Sequence, residues 1–185
     1  MAYSGTDAEL RYDRASILMH WTTAILVVLL WVIAHFIDDF PRGPERVAAR
    51  SVHITLGVLL LLVLFARVGW RSSGSCRRLP MAHPGLFGYL AKTTHFLLYL
   101  VLAAVLVLGV ANVWVRGDSY FGLFTVPKFD PNNKGLKETV EDLHETVANI
   151  LLILAGAHAV AALVHHLLLK DGVLRRMLPG GGGSK

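Results

Sequence analysis

The sequence predicts an all-α integral membrane protein, a four-helix bundle with both termini cytoplasmic. Three observations predict it. Of 185 residues, 54% are hydrophobic and 17% charged, and the mean hydropathy of +0.53 exceeds what a soluble domain needs. Four separate apolar stretches reach spanning length, which is about 20 helical residues for about 30 Å of hydrocarbon. Histidines recur inside these stretches, where an imidazole is costly unless it has a partner.

The first stretch, Ile17 to Ile37, follows the acids Asp7, Glu9 and Asp13 and has no small-residue cleavage site after it, so it is read as a retained helix. The second runs from Val47 to Trp70, the third from Leu86 to Val115 and the fourth from Leu143 to Leu169. Residues 11–179 form one transmembrane domain on this reading, and the closing GGGGSK (180–185) is a linker or expression scar. The loop from Arg67 to Pro84 holds Arg67, Arg71, Arg77 and Arg78 and no acid, whereas the segment from Asp38 to Arg50 balances Asp38, Asp39 and Glu45 against Arg42, Arg46 and Arg50. The positive-inside rule makes the arginine-rich loop cytoplasmic, and with it both chain ends. Arg11, Arg14, Lys170, Arg175 and Arg176 agree. The net charge of +5 is thus a topology signal, and no aromatic-interleaved basic patch points to nucleic acid. Cys76 is the single cysteine and no CxxCH motif exists, so any haem is held by coordination alone.

His144 and His158 carry the most chemistry. Fourteen helical residues advance about 21 Å and leave two side chains about 40° apart, so the fourth helix offers imidazoles at two depths on one face. With alternating helix directions, His20, His95, His158 and His165 fall at an inner level, and His35, His53 and His144 at an outer one. Bis-histidine haem ligation needs facing imidazoles and a slot between helices, for which Gly57, Gly156 and neighbouring alanines leave room. Spacing leaves two pairings open: His20 with His158 in both, and His144 with either His35 or His53. His95 has no partner on its own helix and suits a polar lining. His165 returns to the face of His158, as a substrate contact or an interfacial histidine; His83 reads as a loop residue and His166 as a headgroup contact. A zinc site is the rival, although no acid or cysteine within the spans completes its usual tetrahedral set.

The segments YDRASILMHW, SVHITLG, AKTTHFLLYL, LHETVANI and GAHAVAALVHHLLLKD, in this order, resemble the bacterial cytochrome b561 family, most closely its four-helix, superoxide-oxidising members. The likeness runs from about Arg11 to Pro179. It implies two b haems, the inner held by His20 and His158 and the outer by His53 and His144. His35 departs from the family pattern. The resemblance also implies oxidation of superoxide at the outer face and reduction of ubiquinone, in a multi-pass protein of the bacterial inner membrane.

Superoxide is a small anion that a cluster of cations would concentrate. Among Arg42, Arg46, Arg50, Arg116, Lys128, Lys134 and Lys137, we single out Arg50 and Arg116, which flank helix ends where haem propionates also need cations. The aromatic stretch SYFGLFTVP is expected as a lid or an interfacial anchor. Quinone reduction consumes protons, for which His165 and His95 are candidate donors. Short loops argue against an obligate protein partner. The competing reading is a dihaem anchor subunit that takes electrons from a docked dehydrogenase or hydrogenase.

Overall fold

The computed structural model describes residues 11–76, 79 and 85–179. Arg77, Arg78, His83 and the 180–185 segment lie outside the described residues. The described residues form four long helices, α1 (Arg14–Phe36), α2 (Pro44–Ser72), α3 (Leu86–Arg116) and α4 (Lys134–Leu167). All four are long and apolar enough to cross a membrane.

Local chemistry starts and stops them. The Asp13 carboxylate caps α1 by accepting the Ser16 N–H at 2.9 Å. Pro44 opens α2 at a position where its missing N–H costs nothing. Gly117 ends α3 in the left-handed conformation (φ 64°), its N–H bonded to the Val113 carbonyl. Asn133 caps α4 by accepting from the Leu136 N–H at 2.9 Å, so this helix begins well before the apolar run at Leu143. Its early turns carry Lys134, Lys137, Glu138, Glu141 and Asp142, and a search for apolar runs passes over such a polar helix.

α1 packs closely on α2 and α3 on α4, while the two helical hairpins meet each other sparsely. Where they meet, a buried cluster of Leu26, Leu60, Leu64, Leu102, Val105, Leu106 and Leu151 draws on every helix. Leu151 lies midway in sequence between His144 and His158, so this cluster separates their two levels. Leu18, Ile25, Phe65, Phe96, Val107 and Ile153 point outward, as lipid-facing residues do.

The α3–α4 connection folds into two short antiparallel strands, β1 (Ser119–Tyr120) and β2 (Phe124–Thr125). Their turn is closed by the Leu123 N–H on the Tyr120 carbonyl at 2.9 Å. Phe121 (φ 50°) and Gly122 (φ 72°) both adopt left-handed backbone, which strains the phenylalanine. α2 holds it there. The buried Ser51 hydroxyl accepts the Phe121 N–H at 2.8 Å and donates to the Val47 carbonyl at 2.7 Å, and the hydroxyls of Tyr120 and Thr55 meet at 2.9 Å. At the opposite end the Tyr12 N–H reaches the Arg176 carbonyl at 3.2 Å, and Trp21 Nε1 donates to the Met177 carbonyl at 2.7 Å. The bundle therefore has a hairpin end and a terminal end.

Two histidine levels as a candidate haem site

At the hairpin end, His53 of α2 faces His144 of α4 with ring centroids 6.4 Å apart. At the terminal end, His20 of α1 faces His158 of α4 at the same 6.4 Å. Two imidazoles on opposite sides of one metal, with bonds of about 2 Å and ring centres about 1 Å farther out, stand about 6 Å apart. Both pairs meet that requirement. Each joins one helical hairpin to the other across the sparsely packed seam.

The polar atoms fit the same group. His144 Nδ1 lies 3.1 Å from the Val105 carbonyl, and because a carbonyl only accepts, Nδ1 carries the proton and Nε2 keeps its lone pair. His53 Nδ1 is buried with no hydrogen-bond partner. A Cβ added at Gly57, one turn beyond His53 on the same face, would meet nothing within 4 Å, so open space adjoins that histidine. Gly156, two residues before His158, is instead exposed on a different face of α4 and forms no slot beside it. Among the described residues no three His, Cys, Asp or Glu side chains gather closely enough to hold one metal ion, which removes the support for a zinc site.

The other histidines separate clearly. His35 is exposed and lies against Trp31 at a centroid distance of 4.0 Å, while the Trp31 indole donates to Asn149 at 2.8 Å. The structure therefore brings His53, and not His35, to His144. His95 packs edge-on to His158 at 5.2 Å and bonds the Ala91 carbonyl through Nδ1 at 2.7 Å, so it braces the ring of a candidate ligand. His165 Nδ1 meets the Asp171 carboxylate at 2.5 Å.

Arg50 and Arg116 come together, but not as open cations. Each reaches the buried Asp118 carboxylate at 3.4 Å, and Arg116 also pairs with Glu141 at 2.7 Å, with Lys137 at 3.9 Å from the same acid. Three cations thus stand against two carboxylates, a smaller field than the arginines alone would give. Asp118 was invisible to sequence reasoning as anything but a loop charge, because its partners come from two different helices.

Gly109 was also missed. A Cβ there would lie 3.2 Å from His144 Cε1, so the glycine is what lets α3 approach this ring. If His53 and His144 hold a haem, Gly109→Ala is expected to keep it with a small spectral change, since the ring need give only a few tenths of an ångström. Gly109→Val is expected to lose that haem, read as a fall in haem per chain by pyridine haemochrome.

Comparison with known proteins gives the family. The profile of the prokaryotic cytochrome b561 family matches residues 11–180. The chain is 31% identical over 171 residues to cytochrome b561 homolog 1 of Escherichia coli K12, covering 91% of this chain and 97% of that protein. It is 30% identical over 172 residues to a probable superoxide oxidase, CybB, of Yersinia pestis, covering 91% and 96%. A cytochrome b562 of Cereibacter sphaeroides is 26% identical over 172 residues, covering 90% and 94%. Facing histidines in a four-helix apolar bundle, matched along nearly the whole chain, place this protein in the prokaryotic cytochrome b561 family of bacterial membrane electron-transfer proteins.

Proposed function

We propose that the protein moves electrons across the bacterial inner membrane through two b haems, oxidising superoxide at the hairpin end and reducing ubiquinone. In this reading the hairpin end faces outward and both termini face the cytoplasm, as the loop charges favour. The observation that carries it is the pair of equal 6.4 Å histidine separations on either side of one apolar cluster. The similarity to a probable superoxide oxidase supports the choice of donor.

When bound, each b haem supplies a one-electron ferric/ferrous couple. His53 and His144 would hold one, His20 and His158 the other. The balance is simple: two superoxide anions release two electrons and two molecules of oxygen, and one quinone takes those electrons with two protons. Arg50, Arg116 and Lys137, only partly offset by Asp118 and Glu141, attract the anion at the hairpin end. At the terminal end His95, edge-on to His158, and His165, paired with Asp171, are the candidate proton donors. The protein needs no permanent partner to complete this path.

A two-stage assay tests the reading. Purified holoprotein given superoxide should develop reduced-haem absorbance bands, and a quinone analogue should then discharge them. His165→Leu should slow only the second stage. Intact haems that superoxide fails to reduce would overturn the donor assignment and favour electron delivery by a docked partner.

A further inference from the structure

Arg67 has no role in the scheme above, and its surroundings are unusual. The sequence uses it as a topology charge near the end of the second apolar stretch, Val47 to Trp70, and it lies inside α2, fourteen residues after His53. That is the same interval that separates the histidines of α4, so Arg67 shares the face of His53 about 21 Å farther along the helix, near the level of His20 and His158. A guanidinium carries a permanent charge and five donors, and within a membrane such a group faces the bundle interior and finds a partner.

Arg67 does face inward. Its Nη1 donates to Thr23 Oγ1 of α1 at 3.3 Å, and its Cζ stands 5.3 Å from the centre of the Tyr99 ring of α3, so it spans three helices. Thr23 is buried and passes its own proton to the Met19 carbonyl at 2.7 Å, which leaves its oxygen as the acceptor. The Tyr99 side chain also hydrogen-bonds Arg67, a second cation, Arg71, acts on it, and Arg67 itself acts on His20 and His95. Among the described residues no carboxylate pairs with it. A half-buried guanidinium held by the Thr23 hydroxyl and the Tyr99 side chain, with five donors in all, keeps donors for a carboxylate.

We propose that Arg67 is the counter-ion of a propionate of the haem held between His20 and His158, with Thr23 and Tyr99 orienting its guanidinium. A planar donor fork suits a carboxylate in two-point contact. The charge has a redox consequence. Ferric haem carries one more positive charge than ferrous haem, so a fixed cation nearby favours the reduced state. The proposal rests on a haem at the terminal level, which His20→Ala tests separately by haem count.

The experiment is a redox titration of the two haems in purified holoprotein, with resonance Raman of the propionate bending modes. Arg67→Gln is expected to disfavour reduction of the terminal-end haem by about tenfold in its equilibrium constant and to leave the hairpin-end haem within about twofold. Arg67→Lys, which keeps the charge but not the fork, should hold that constant within about threefold while shifting a propionate mode. Unchanged potentials in Arg67→Gln, or equal shifts of both haems, would overturn the proposal. Should Arg67→Gln not accumulate, an unchanged propionate mode in Arg67→Lys would overturn it equally. Loss of no haem in His20→Ala would instead sink the reading beneath it.

Discussion

His158→Ala and His144→Ala are each expected to leave a folded protein with about half the haem of the parent, and to lose different halves, because two facing imidazoles per iron leave no substitute ligand. His20→Ala should copy His158→Ala, and His53→Ala should copy His144→Ala. The spectra should be complementary, the absorbance missing from one pair of variants being what the other pair retains. His35→Ala should keep both haems, since its ring lies against Trp31 and not against His144. The functional consequence is stronger than the spectral one. With the hairpin-end haem gone, superoxide should no longer reduce the remaining haem at the native rate, although a chemical reductant should still do so. If His35→Ala abolished a haem and His53→Ala did not, the pairing at the hairpin end would be wrong. If His95→Ala abolished the terminal-end haem, its 5.2 Å approach to His158 would have to be reread as ligation rather than bracing.

Much of the architecture was legible because hydrocarbon imposes a simple pattern. Apolar length marks each span, and the fixed rise and rotation of a helix turn the interval between His144 and His158 into a geometric statement. The choice between His35 and His53 was not legible from spacing, since both fall at a similar depth and only the rotation of α1 against α2 decides which ring reaches α4. Family resemblance pointed to His53, and the 6.4 Å separation brings that residue to His144. The start of α4 was hidden for the opposite reason: a charged helix beyond the membrane carries no hydropathy signal, and its cap at Asn133 is a local feature. The inward contacts of Arg67 were not legible because topology rules use an arginine near a helix end only as a boundary marker, whereas Thr23 and Tyr99 belong to two other helices. Gly109 and Asp118 act through residues on other helices, which no single-segment pattern reveals.

Asp118→Asn separates stability from attraction at the hairpin end. In the parent, this buried carboxylate joins Arg50 of α2 to Arg116 at the end of α3, and Arg116 extends the connection to Glu141 of α4. Removing its charge leaves Arg50 with only the longer-range attraction of Asp38 and Glu141. Taking one partner from a mostly buried pair is destabilising, here about 1–3 kcal/mol because both arginines retain some contact with solvent. A lower thermal midpoint of the purified protein would register it. The anion-attracting field changes in the opposite sense. Three cations would face one carboxylate instead of two, so the rate of haem reduction by superoxide should rise about two- to fivefold at low ionic strength, and the gain should shrink as salt is added. Arg116→Glu should slow the same step and remove its salt dependence. A variant that is less stable yet reacts faster would mean that Asp118 holds three helices together at some expense in field strength. A rate indifferent to both substitutions and to salt would mean that superoxide does not approach through this cluster, and the electron donor would have to be sought by another route.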